Sequence, residues 1–259
     1  MKVVYVSSLL FAVTVGNIFA QTFSSHPTLD SGRSSVRLAN SSTTDDKGYV
    51  PPFDAAAAGL TSLFDGKTLS GWQGDPKCWQ VVDGAIVVVN ESQNLMTDGD
   101  YDDFRIILST RQVKEPSNHQ GVDFWGERLP KGKYGYGGCV DVMPPMNWTW
   151  DYTINKGAPG KLTLSRNLDK ELGIKRSQWT QAEILVNREK GTIRMVVNGI
   201  EMLDYTDNNP SRLKKGPIGL QAHGGNHEVR YKDIFIEVAP KKDRLITLRT
   251  VAGGIGGSP

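Results

Sequence analysis

The sequence predicts an all-β sandwich or barrel. Three observations carry that prediction: short runs in which apolar and polar residues alternate, tight-turn dipeptides between the runs, and no amphipathic stretch long enough for a major helix. The first run is Trp79-Gln80-Val81-Val82, then Asp83-Gly84, then Ala85-Ile86-Val87-Val88-Val89, a hairpin with a turn that tolerates positive φ. Next, Phe104, Ile106, Leu108 and Thr110 alternate with Arg105, Ile107, Ser109 and Arg111, which predicts a strand. Residues 121–125 and 139–143 predict two shorter ones. Residues 182–186 lead through the turn Arg188-Glu189-Lys190-Gly191 into residues 192–197. Asn198-Gly199 then returns the chain along residues 200–205 as the clearest hairpin. Ile218, Leu220 and Ala222 alternate, as do Val229 with Tyr231 and then Ile234, Ile236 and Val238.

Length and composition bound the function. The chain has 259 residues, 38% of them hydrophobic, enough for one large sandwich domain. Lys and Arg number 30 against 28 Asp and Glu, a balance that argues against nucleic acid as a partner. No zinc-type or EF-hand spacing is present, so neither a metal nor a cofactor is expected.

Lys2, the apolar stretch of residues 3–15 and the small residue Ala20 read as a secretory signal over residues 1–20, so the protein is expected to be secreted or periplasmic. An uncleaved anchor is the alternative, but the stretch is short against the roughly 20 apolar residues a span needs. Residues 21–59 read as a flexible Ser/Thr-rich leader, with a brief helical turn near residues 54–60. Residues 60–240 hold the domain, and residues 241–259 read as a C-terminal tail. Cys78 and Cys139 are the two cysteines; an exported protein could pair them, gaining about 3–4 kcal/mol, or keep both as free buried thiols.

Several segments carry a resemblance. Leu63-Phe64-Asp65-Gly66-Lys67-Thr68-Leu69-Ser70-Gly71-Trp72 is one. Others are Trp79 with Val82-Asp83-Gly84-Ala85-Ile86, and Leu95-Met96-Thr97 with Tyr101 and Asp103-Phe104. Near the end come Asn198-Gly199, Gly216-Pro217-Ile218-Gly219-Leu220-Gln221-Ala222-His223-Gly224 and Val229-Arg230-Tyr231-Lys232-Asp233-Ile234. In order and spacing the chain resembles the 3-keto-disaccharide hydrolase domain family, also called 3-keto-glucoside-1,2-lyase/3-keto-2-hydroxy-glucal hydratase. The resemblance implies a concanavalin-A-like jelly-roll sandwich of two antiparallel sheets. It also implies action outside the cytoplasm on an oxidised sugar glycoside.

The implied chemistry has a physical logic. A ketone at C3 acidifies the hydrogen on C2, so a base can remove it and leave an enolate. Expulsion of the C1 substituent then gives a 2-hydroxyglucal enone, and adding water completes net hydrolysis. Such a site needs a base, a group that stabilises the enolate oxygen, and an acid for the leaving group.

His223 is the preferred acid/base: strand alternation puts Gln221 and His223 opposite Leu220, so both face one side. The family often has Gly-Tyr-Glu-x-Gln where this chain has Gly138-Cys139-Val140-Asp141-Val142, which makes Asp141 a displaced carboxylate candidate. The stretch Asn118-His119-Gln120-Gly121-Val122-Asp123-Phe124-Trp125-Gly126-Glu127-Arg128 replaces the family's Asn-Ser-Gly-Val-Phe-Phe-Arg. Alternation there groups Asp123 with Trp125, an acid beside an indole, which suits sugar recognition. A strand end with Trp125 in the core is the competing reading. His119, Glu127 and Trp150 complete the candidate sugar-binding set, Trp150 from an aromatic loop at residues 144–152. Besides the enzyme, a non-catalytic carbohydrate-binding module of the same fold and a conventional endoglycosidase stay open.

Overall fold

The structure is a computed structural model. It describes residues 53–88, 94–114, 120–130, 135, 138–144, 149–151, 156–157, 175–222 and 228–248. Among these, two antiparallel sheets pack face to face. The first runs in spatial order Ile200–Thr206 (β13), Thr192–Val197 (β12), Thr180–Asn187 (β11), Phe104–Lys114 (β6), Glu228–Val238 (β15), Ala85–Val88 (β4) and Trp79–Val82 (β3). Thr61–Ser62 (β1) pairs with β15 off this path. The second runs Lys156–Gly157 (β10), Thr149–Asp151 (β9), Val140–Val142 (β8), Gln120–Phe124 (β7), Gly219–Ala222 (β14), Leu95–Thr97 (β5) and Trp72–Gln73 (β2). The fold is the predicted all-β jelly-roll sandwich. No described helix is long and apolar enough to cross a membrane.

The two predicted hairpins form with the turns their sequences demand. Asp83 and Gly84 sit at φ 51° and 73°, Asn198 and Gly199 at 47° and 89°, which matches the right-handed twist of the flanking strands. The change of phase between Val229/Tyr231 and Ile234/Ile236 also has a cause. The register of β15 on β6 shifts between Lys232 and Phe235, with Asp233 at φ 51°. This bulge returns Ile234 and Ile236 to the interior beside Val229 and Tyr231, so one eleven-residue strand carries both patterns.

Phe104, Ile106, Leu108, Ile184, Val186, Ile193 and Met195 from the first sheet meet Val122, Phe124, Val140, Val142 and Leu220 from the second. These side chains define which face of each strand is inward. Tyr231 reaches from β15 across this interior, and its hydroxyl donates to the backbone carbonyls of Gln221 and, at 3.3 Å, Gly121.

Both expected domain boundaries move outward. Residues 241–248, expected as tail, lie on the outer face of the first sheet, where Leu245 packs with Leu185 and Val196. They are fastened by an ion pair: Arg105 Nε donates to Glu183 Oε1 at 2.7 Å, and both side chains are closed to solvent. Glu183 also accepts from the N–H groups of Ile246 (3.0 Å) and Thr247 (2.8 Å) and from the Thr247 hydroxyl (2.7 Å), while Arg105 donates to the Arg244 carbonyl at 2.6 Å. At the other end, Gln181 Nε2 donates to the Phe53 carbonyl at 3.1 Å and Ala55 is buried, so the expected leader is part of the domain from residue 53 onward. The expected turn at residues 54–60 forms, with the Asp54 side chain accepting from Ala57 N–H.

Candidate active site

The second sheet places two carboxylates side by side. In β7 alternation buries Val122 and Phe124 in the core, so Gly121 and Asp123 turn to the opposite face. In β8 Val140 and Val142 are inward, so Asp141 turns to the same side. The register pairs Asp123 directly with Asp141, and Gly121 with Gln221 of β14. Both aspartates have 0% of their surface exposed. Among the described residues neither oxygen of Asp141 has a side-chain hydrogen-bond partner. Asp123 has at least two donors: the Asn94 amide to Oδ2 and the Cys139 thiol to Oδ1, at 3.5 Å.

This environment disfavours charge. Burial pushes the Asp123 carboxyl up to about 8 from its ordinary 3.8, against the opposing pull of the Cys139 and Asn94 hydrogen bonds. Burial again, then the charge of Asp123, drives Asp141 well above 3.8; the Val122 backbone N–H works weakly the other way. The Tyr231 phenol behind the pair is raised by its own burial, then by Asp141 and Asp123. A carboxyl pair with raised and unequal proton affinities can hold a proton at neutral pH and pass it on, which is what acid–base chemistry requires.

Space for Asp141 depends on one glycine. A Cβ on Gly121 would lie 1.8 Å from Asp141 Oδ1 and 2.6 Å from its Cγ. The obstacle is the end of a side chain, so Gly121→Ala is expected to fold with a stability loss of about 1 kcal/mol while forcing Asp141 to rotate away. Comparing urea melts with the pH titration of the carboxyls checks this: the melts should move little and the titration should move clearly.

The structure sorts the other predicted residues. Gln221 shares the face of the pair and is buried. Trp150 stands opposite Asp141 in the register of β9, so the expected aromatic loop is a strand at residues 149–151. Trp125 corrects the alternation expected of it. Its φ is 56°, which ends β7 and carries the indole into the core against Phe124 at 5.4 Å between ring centroids, away from Asp123. Glu127 lies at the surface, 65% exposed, in an ion pair with Lys214 at 3.1 Å. Its neighbour Arg128 gathers the carbonyls of Thr97, Asp98 and Gly99. His223 and His119 lie outside the described residues.

Cys78 and Cys139 are buried and form no disulfide with each other, Cys78 in the core and Cys139 beside Asp123. Three residues that sequence reasoning did not place in the site complete it: Asn94, Cys139 and Gly121. Cys139 shares the alternation phase of Asp141, two residues on, and could have been found by it; Asn94 carries no such signal.

No group of three or more His, Cys, Asp or Glu side chains gathers in metal-binding range among the described residues. A hollow of about 690 Å³ lies on the outer face of the first sheet near Arg105, Glu237 and Leu245. Arg105 and Glu237 in its lining are paired with each other, and Arg105 also with Glu183.

The family match makes this jelly-roll sandwich one of the carbohydrate-active β-sandwiches. The family model described as 3-keto-alpha-glucoside-1,2-lyase-like domain matches residues 59–237, and the chain belongs to that family. Among solved structures, a provisionally assigned glycosyl hydrolase from Parabacteroides distasonis ATCC 8503 is similar with a TM-score of 0.53 and 19% identity. The match covers 74% of this chain and 99% of that one. The carbohydrate-binding module CBM66 from Bacillus subtilis gives 0.46 and 10%, covering 64% and 95%. A Bacillus subtilis protein with a galectin-like fold gives 0.48 and 13%, covering 66% and 90%. No curated protein matches the chain.

Proposed function

We infer that the protein is an exported enzyme that cleaves 3-keto-glycosides by C2 proton abstraction, elimination at C1 and hydration of the resulting 2-hydroxyglucal. The observation that carries this reading is the Asp123–Asp141 pair, paired across β7 and β8 on the face turned from the core. Family membership supports the substrate class. One carboxylate is a base for the C2 proton, and a neighbouring protonated carboxyl is a donor for the oxygen that becomes negative. The two acids stand on adjacent strands of one sheet and do not face each other across a cleft. That arrangement disfavours a conventional glycosidase, whose acids flank the bond they cut. His223 follows Ala222, the last residue of β14, and is the proposed acid for the leaving group.

The complete burial of both carboxyls favours a second reading, a carbohydrate-binding module in which the pair is structural. Catalysis requires this face to admit a sugar, and Cys139 reports on that. An enzyme is expected to show Cys139 alkylation slowed by a 3-keto-glucoside, with Cys78 in the core as internal control. Turnover decides between the readings. Purified protein is mixed with an aryl 3-keto-glucoside, following enone absorbance and aglycone release. Release lost in His223→Ala and Asp141→Asn supports the enzyme; binding without release, unchanged by either substitution, contradicts it.

A further inference from the structure

We propose that Asn94 and Cys139 are positioning residues that divide the labour of the acid pair, holding Asp123 as the base and leaving Asp141 as the protonated hydrogen-bond donor. This rests on the catalytic reading above and goes beyond it by assigning the roles. The two aspartates are equally buried and sit opposite each other, so burial and mutual repulsion alone would leave them nearly equivalent. Their hydrogen bonds break the symmetry. Asp123 accepts from Asn94 Nδ2 and Cys139 Sγ, one donor for each oxygen, and donors to a carboxylate favour its charged form. Among the described residues Asp141 has no side-chain donor, only the weak opposing pull of the Val122 N–H, and its carboxyl fills the space that a Cβ at Gly121 would take. A buried carboxyl with so little support for its charge is better off protonated, and its O–H is then a donor for a substrate oxygen.

The groups facing the pair come from several elements. Asp123 is on β7, Asp141 is on β8, Cys139 precedes β8, Asn94 precedes β5 and Gln221 is on β14, with the Tyr231 phenol behind the sheet. Of the titratable groups among them, the two carboxyls and the Cys139 thiol share the face, and the two carboxyls raise the Tyr231 phenol on the core side.

The division gives a balanced sequence. The Asp123 carboxylate takes the proton from C2, the C–H electron pair becomes the C2–C3 double bond, and the carbonyl pair moves onto the C3 oxygen, which accepts a hydrogen bond from Asp141. The C3 carbonyl then re-forms, the C1–C2 double bond appears, and the C1–oxygen bond breaks. The leaving oxygen takes a proton from His223 while the C2 proton stays on Asp123; when water adds to the 2-hydroxyglucal, Asp123 returns its proton to C2 and His223 takes one from the water, so Asp141 ends as it began and no oxidant is needed.

The test needs no substrate. The infrared carboxyl C=O band of the purified full-length chain is followed against pH. Asn94→Leu and Cys139→Ala are each expected to raise the first deprotonation by about one pH unit, and Cys139→Ser, which keeps a donor, to leave it in place. In an Asp141→Asn background the same shifts should persist; in an Asp123→Asn background they should vanish. Shifts that survive removal of Asp123, or no shift in the wild-type background, overturn the assignment. If Asn94→Leu fails to fold, the Cys139→Ala and Cys139→Ser comparison carries the test. A titration that behaves as expected in a protein that turns over no 3-keto-glucoside would sink the catalytic reading while leaving this division intact. If both hold, the rising limb of the pH profile of kcat/KM moves with the infrared titration.

Discussion

Asp141→Asn is expected to abolish turnover while making the protein more stable at neutral pH. The stability half follows from proton linkage. The ordinary value of these carboxyls is 3.8, and in the folded protein Asp123 is pushed up to about 8 and Asp141 well above 3.8. Between those limits the unfolded chain has released protons that the folded chain still holds. Folding therefore takes protons up, and stability falls as pH rises through the window from about 4 to about 8. An amide keeps the shape of the protonated acid and needs no proton from water. The gain is expected at neutral pH and shrinks toward pH 4. Urea melts of the two proteins across this range should converge in acid and separate above it. Activity is lost because the amide N–H is too weak an acid to stabilise the enolate as a carboxyl does. Such a trade of stability for chemistry is expected where a site holds groups away from their preferred ionisation.

Glu183→Ala is expected to cost about 3–5 kcal/mol and to loosen residues 240–248. Glu183 and Arg105 are both buried, and the carboxylate also holds two N–H groups and a hydroxyl from Ile246 and Thr247. Without it, Arg105 keeps Glu237, which is 38% exposed and a weaker partner. Two backbone donors lose their acceptor at the same time. The stability loss is read from urea melts, and the local loosening from trypsin cleavage after Lys241, Lys242 and Arg244, which should appear before global unfolding. Equal protection of these sites in the variant and the parent would contradict the account of how the domain closes.

Much of the fold was legible because alternation and turn chemistry act locally. The Asp-Gly and Asn-Gly turns at residues 83–84 and 198–199 needed only two residues to be read, and both adopt the positive φ expected of them. The bulge at Asp233, by contrast, emerges only from the register of β15 on β6. What was not legible depends on backbone states or distant partners. For Trp125 the sequence left two readings open, and the positive φ just past β7 selects the one with the indole in the core. The pairing of Asp123 with Asp141 arises from the register of β7 on β8, which alternation allows but does not specify. Residues 241–248 look like a polar tail because their anchor, Glu183, lies some sixty positions earlier in the chain.

The most direct measurement is release of the aglycone from an aryl 3-keto-glucoside by the wild-type protein and by Asp123→Asn, across pH. The account predicts release that climbs with pH as Asp123 gives up its proton near 8, an enone intermediate seen in the ultraviolet, and no release from the variant. Full activity in Asp123→Asn, or cleavage of the unoxidised glucoside at the same rate, would contradict it.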